Sequence, residues 1–393
     1  MPRNQTTRKI SFLNDFFEII PDFLFNMTYG SGSSMSWIRQ KITEKGSPGR
    51  VGVVIGVPAA LAVAFIAAAG WFTPDRLTPA TVIRTFDSVD GPHPGFRRNH
   101  AKGVCVTGWF EGNGQASPYS RAALFSAERS PVIGRFALAG GLPYQDDAPD
   151  KVRSLALRIM PPNGGEWRMG MNDIPVFLFR NARDFNSFLI ASRPEATTRK
   201  PDPARIGAFL AAHPETAHAL SQIKQRSLSS GFSEDAYNSL DAFLFVNADG
   251  RTTPVRWAME PEQPAPAQDS VKTGRDYLFD DLTATLAEHP LRWKLMIVLG
   301  QPGDPTADPT AAWPAGRTRI NAGTLVLDKA ESEDGGPCTG ITFDPLILPE
   351  GITPSDDPIP AARSAVYARS FTARSGEMKA PSAVSLNSSP NGQ

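Results

Sequence analysis

Cysteine and histidine are scarce in this 393-residue chain: it has two cysteines, Cys105 and Cys338, and five histidines. Two thiols exclude a disulfide framework and a cysteine-rich zinc site. They are read here as buried free thiols, with a single bridge as the alternative in an oxidising compartment. No charge of one sign dominates, because Lys plus Arg and Asp plus Glu both total 40, so nothing points to nucleic acid or another polyanion as a partner. There is no Gly-x-Ser-x-Gly elbow, which excludes the α/β-hydrolase arrangement, and no glycine-rich phosphate loop, heptad run or internal repeat. Among the histidines, His93, His213 and His289 each adjoin a proline, and His218 follows His213 by five positions, off the i, i+4 face a zinc pair needs.

Proline and glycine, by contrast, are plentiful at 36 and 33 residues, which favours turns and irregular connections over a helical bundle or a doubly wound sheet. Residues 1–50 read as an N-terminal extension, cytoplasmic or belonging to an over-called start, with Met35 as the alternative first residue. Residues 51–72 carry no charge and would reach roughly 33 Å as a helix, about the thickness of a bilayer core. Arg39, Lys41, Lys45 and Arg50 precede that run against Glu44 alone. The expectation is therefore a single-pass signal anchor in a bacterial inner membrane, with everything after it periplasmic or otherwise extracytoplasmic. Cleavage at Ala67-Ala68-Ala69 and release to the periplasm is the alternative.

From residue 77 the pattern becomes that of a dense domain. Thr78-Pro79 opens a helix. Short β-branched and aromatic runs at 103–110, 132–138, 154–160 and 175–179 read as strands, with Asn163-Gly164-Gly165 as a hairpin-type turn. Helical spacing follows at 182–192 and at 203–224, broken by His213-Pro214. Further strands are expected at 242–247, 253–259, 293–299 and 324–327, with a helix at 276–287. Many short strands with glycine-rich turns imply an antiparallel barrel or sandwich. Residues 376–393 are read as a disordered tail.

Three groups of residues could carry chemistry. His100 heads a strand and is followed by Lys102-Gly103, Asn172 opens Asn-Asp-Ile-Pro, and Arg363 and Tyr367 are spaced to share one helix face. A guanidinium beside a phenol favours phenolate, a good ligand for ferric iron. Taken singly, each has a plainer reading: a satisfied core histidine, a turn cap, a cation–π contact.

Together they resemble the haem catalase family. The matching stretches are Arg97-x-x-His100-Ala-Lys-Gly, Gly134-Arg135-Phe136, Asn172-Asp-Ile-Pro-Val-Phe177-Leu-Phe-Arg180, Phe343-Asp-Pro345 and Arg363-x-x-x-Tyr367. The resemblance implies an α+β fold: an antiparallel eight-stranded β-barrel with surrounding helices, and a haem domain over residues 73–375. It implies haem b as cofactor, His100 as distal acid/base, Asn172 as its partner in holding peroxide, and Tyr367 as the iron ligand with Arg363 beside it. Phe177, Phe185 and Phe343 match aromatics around the haem, and Arg97, Arg135 and Arg374 match positions that pair with its propionates.

Departures narrow the resemblance to the short bacterial catalase-related peroxidases. Ala137 replaces a distal serine, Asn99 replaces a valine, Arg369 replaces an acidic residue, and the chain ends soon after Tyr367, so no NADPH site is expected. The expected activity is reduction of hydrogen peroxide or organic peroxides with a small organic reductant, with weak catalase activity, in a monomer or dimer. The alternatives are a true catalase, a fatty-acid hydroperoxide-transforming enzyme, and a non-catalytic haem-binding protein.

Overall fold

A computed structural model describes residues 48–68, 76–126, 128–264, 274–384 and 386. The chain divides into two units, Met1–Arg76 and Leu77–Gln393. In the first, the described element is helix α1, Pro48–Ala68, with Pro58 inside it. Among the described residues no helix is long and apolar enough to cross a membrane. That corrects the expected transmembrane anchor over 51–72, and with it the membrane partner and the inner-membrane or periplasmic placement drawn from it. The extension over 1–47, Ala69 and Trp71 lie outside the described residues.

The second unit is built on an antiparallel barrel. Its strands are β1 Gly103–Gly112, β2 Arg129–Leu138, β3 Arg153–Ile159, β4 Trp167–Asn172, β5 Tyr237–Asn238, β6 Phe243–Val246, β7 Thr252–Pro261, β8 Leu291–Leu299, β9 Arg319–Glu331 and β10 Ile352–Pro354. Eight of them close a ring in the order β7-β5-β4-β3-β2-β1-β9-β8, sealed by β8 pairing back onto β7 from Val255↔Leu299 to Pro261↔Trp293. β6 and β10 extend the sheet beside the first half of β7. Closure leaves the ring without an unpaired edge.

Period-two alternation decides which face is core. In β8, Leu291, Trp293, Leu295 and Ile297 are buried while Arg292 and Lys294 are exposed. The interior is filled by aromatics: the Phe136 ring lies 5.3, 5.7 and 5.9 Å from those of Phe232, Tyr237 and Trp293. The barrel is therefore packed solid, and a ligand has to lie against its outside. Two cross-strand rows of mostly small residues make such a place. Gly103, Ala137, Ser154 and Asn172 are successive register partners, as are Cys105, Arg135, Ala156 and Gly170.

Helices pack around the barrel: α2 Pro79–Asp90, α3 Ala182–Ala191, α4 Pro203–Ala212, α5 Pro214–Lys224, α6 Tyr277–Glu288 and α7 Pro358–Ser375. Thr78 caps α2 by accepting from the Thr81 amide, and Asp357 caps α7 by accepting from Ile359. The break at His213-Pro214 separates α4 from α5 as expected. The strand expected at 175–179 is absent, and β4 lies just before it. Pro175 has no amide proton to give a ladder, and the Phe177 amide donates instead to the Pro309 carbonyl, 2.9 Å away.

Two further expectations are corrected. Cys105 and Cys338 are not free thiols but a disulfide with Cα atoms 5.4 Å apart. Strand β1 and the loop after β9 meet only in three dimensions, across a sequence separation of 233 residues. Closing so long a loop restricts the unfolded chain, so Cys105→Ser should lower unfolding stability by about 2–4 kcal/mol, read as a shift in urea midpoint that reductant reproduces in the parent chain. The tail beyond Gly376 is also held down as far as Val384: Ser382 and Val384 are buried, and Ser382 donates to Asp334 over 2.9 Å. Residues 387–393 lie outside the described residues.

Candidate active site

One wall of a cavity of about 200 Å³ is set by residues 97–100 and by the outer rows of β2, β3 and β4. His100 precedes β1 with φ 54°, in the left-handed region. Asn99 supports that turn, because its Oδ1 accepts from the amides of His100 and Gly140, each at 2.9 Å. The carboxamide oxygen that replaces the family's valine is thus committed to backbone. The His100 ring nitrogen Nδ1 lies 2.9 Å from Ser154 Oγ, and that hydroxyl donates to Asn172 Oδ1 over 2.5 Å.

Burial, then the charges of Arg135, Arg363 and Arg97, lower the His100 pKa to about 3. The ring is a neutral base throughout the ordinary pH range. A peroxide reaction that depends on it should keep a constant rate from neutral pH down to about pH 4 and fall below that, as a stopped-flow pH series would record. Its effect on stability has the same direction. The unfolded ring, near pKa 6.5, takes up protons that the folded ring refuses, so between about pH 6.5 and 3 stability declines as pH falls.

Helix α7 supplies the opposite wall. The Arg363 Nε donates to the Tyr367 hydroxyl at 3.3 Å, its Nη1 pairs with buried Asp241 at 2.6 Å, and its Nη2 donates to the Gly170 carbonyl at 3.1 Å. Burial opposes the charge on Arg363, but Tyr367 and Asp241 outweigh it and raise its pKa. A Cβ at Gly170 would sit 2.8 Å from Arg363 Nη2, so a larger residue there would push the guanidinium aside.

At one end of the cavity three guanidinium groups gather round one carboxylate. Arg135 grips Glu333 through Nε and Nη2 at 2.7 and 2.9 Å. Arg97 Nη2 donates to the carbonyls of Cys338 and Ile341, while its buried Nε has no hydrogen-bond partner and lies 3.9 Å from Glu333. Arg374 Nη1 donates to the Thr339 carbonyl at 2.8 Å. Burial first, then the neighbouring Arg135 charge, lower the Arg97 pKa to about 9. Burial raises the Glu333 pKa, but Arg135 and Arg97 more than reverse it, so its carboxylate stays charged. Phe343 lies beneath Arg97, and Phe177 and Phe185 line the cavity with Val82 and Phe86 of α2.

The Catalase family profile matches residues 83–388. The catalase-related peroxidase of Synechococcus elongatus is 36% identical over 314 residues, covering 77% of this chain and 90% of that protein. The chain belongs to the catalase family. As a member it is an oxidoreductase of peroxide, and the family implies haem. The catalase-related peroxidase of Mycolicibacterium paratuberculosis is 30% identical, with 76% of this chain and 96% of that one covered. Mouse catalase is 28% identical, and the match spans 54% of its length. A fungal catalase crystal structure superposes with TM-score 0.64 at 20% identity, over 72% of this chain and 60% of that one, which shows the shared fold.

The residues present fit a haem. Two propionates would meet the excess charge of three guanidinium groups that share Glu333, and would offer an acceptor to the orphaned Arg97 Nε. All ten site residues expected from the sequence line this one cavity. Sequence reasoning missed Ser154, Asp241 and Glu333. The register partner of Ala137 would have pointed to Ser154, but Asp241 and Glu333 reach the site through loops that leave no pattern.

Proposed function

We propose that this chain is a haem b peroxidase that reduces hydrogen peroxide or organic peroxides with a small organic donor and has weak catalase activity. The observation that carries the reading is the hydrogen-bonded His100–Ser154–Asn172 group facing Arg363–Tyr367 across one apolar cavity. Haem supplies, when bound, an iron centre that takes two oxidising equivalents from a peroxide and passes them to a donor. In this reading Tyr367 holds the iron as phenolate, and the Arg363 guanidinium stabilises that charge. Arg97, Arg135 and Arg374 would pair with the propionates, and Phe177, Phe185 and Phe343 would supply apolar contact in the cavity they line. His100 takes a proton from one peroxide oxygen and returns it to the other, while Asn172 donates a hydrogen bond that holds the peroxide in place.

The names of the two relatives matched over most of their length favour peroxidase over catalase. We place the haem domain at residues 73–375, extended by the packed strap to 384, and take the molecule as a monomer or dimer. Steady-state kinetics on protein of measured haem content test the reading. Peroxide consumption should rise several-fold with a substituted phenol as donor. Disproportionation at catalase-like rates with no gain from any donor would overturn it.

A further inference from the structure

We propose that Ser154 is the positioning residue of the His100–Asn172 pair, supplying from β3 the hydroxyl that Ala137 on β2 lacks. The inference rests on the peroxidase reading above and deepens it. Ala137, Ser154 and Asn172 are direct register partners on three adjacent antiparallel strands, and in each strand they share the outward face. A hydroxyl moved from β2 to β3 therefore stays beside the same imidazole, one strand spacing away.

The proton inventory fixes the rest. Ser154 Oγ carries one proton and lies 2.9 Å from His100 Nδ1 and 2.5 Å from Asn172 Oδ1. A carboxamide oxygen can only accept, so the hydroxyl proton goes to Asn172. Oγ then has only lone pairs for Nδ1, so Nδ1 must carry the imidazole proton. A neutral ring protonated at Nδ1 keeps a free lone pair at Nε2. Asn172, with Oδ1 engaged, keeps its amino group as the free end. One hydroxyl thus makes a base of His100 and a donor of Asn172, the two complementary roles that a peroxide, with a proton to give and an oxygen to be held, requires. The charges of Arg135, Arg363 and Arg97 act on the ring and none of the three can accept a proton from it, while the Leu138 carbonyl adds a backbone acceptor from the same strand as Ala137. Ser154 is the side chain hydrogen-bonded to Nδ1, at 2.9 Å, and its hydroxyl rather than the Leu138 carbonyl is what links the ring to Asn172.

The test uses the full chain, with Ser154→Ala, Ala137→Ser and the double variant. In 15N-histidine-labelled protein before haem loading, the parent chain should show His100 protonated at Nδ1, and Ser154→Ala should show a mixture with Nε2–H. After haem loading, Ser154→Ala should react with hydrogen peroxide roughly 10–100-fold more slowly at unchanged haem content, the size of loss typical when an outer hydrogen bond to a functional histidine goes. Ala137→Ser added to Ser154→Ala should restore both readouts, which a filling role for Ser154 would not. A single Nδ1–H form and a parental rate in Ser154→Ala would overturn the proposal. So would failure of the double variant, folded by circular dichroism, to recover the tautomer. If the parent chain itself does not react with peroxide, the peroxidase reading fails, while the tautomer measurement still decides the role of Ser154.

Discussion

Tyr367→Phe is expected to leave the protein folded and to reduce its haem-to-protein ratio by about tenfold or more, with loss of the absorption of a phenolate-bound ferric haem. The phenyl ring keeps the volume and the place on α7. The hydroxyl it loses is held by Arg363 Nε at 3.3 Å, but that guanidinium remains tied to Asp241 and to the Gly170 carbonyl. Stability should change by only about 1 kcal/mol, because one long hydrogen bond is lost and no charge is stranded. Binding should change far more. Without the phenolate, the three arginines and the aromatic walls offer propionate and stacking contacts but no bond to the metal. Full haem retention with an unaltered spectrum would show that the iron is held elsewhere. The measurement is the absorption ratio of haem to protein after gel filtration, beside a thermal melt.

His100→Asn is expected to slow the reaction with peroxide by about 10²–10⁴-fold while haem content stays near that of the parent. Asparagine is the informative replacement, because position 100 has φ 54° and asparagine tolerates the left-handed region better than alanine does. The backbone amide at 100 keeps its bond to Asn99 Oδ1, so the turn that carries the side chain survives. What disappears is a neutral base whose pKa lies near 3, with its Nε2 available to take a proton. Stopped-flow mixing with hydrogen peroxide, without donor, isolates this step. A variant that reacted at the parental rate would remove His100 from the chemistry and leave the cavity as a haem-binding site only.

The cavity also tells why single residues said so little beforehand. Asn99 reads as a polar residue in place of a valine, yet its oxygen is spent on two backbone amides. Ala137 reads as a lost hydroxyl, yet Ser154 stands opposite it in the next strand. Both come from treating positions one at a time: register sets Ser154 beside Ala137, and the turn before β1 brings the Gly140 amide to Asn99. The cysteines show the same limit at longer range: nothing local to Cys105 or Cys338 announces that β1 and the loop after β9 converge on Arg97.

From sequence alone came the barrel, the capped helices and the ten residues of the candidate site. Alternation writes each strand's two faces into the chain, Thr78 and the His213-Pro214 break punctuate the helices, and the i, i+4 spacing of Arg363 and Tyr367 survives as a real contact on α7. Only the tertiary structure decided the disulfide, the packed strap to Val384, and the partners Ser154, Asp241 and Glu333. Among the described residues it also holds no helix long and apolar enough to cross a membrane, against the expected span. Those partners come from separate strands and loops, held together by closure of the barrel and by buried charge. Pattern within one segment carries a segment's own faces. Which faces meet is set by the whole chain closing on itself, and that is where the charges and hydroxyls of this site were assigned.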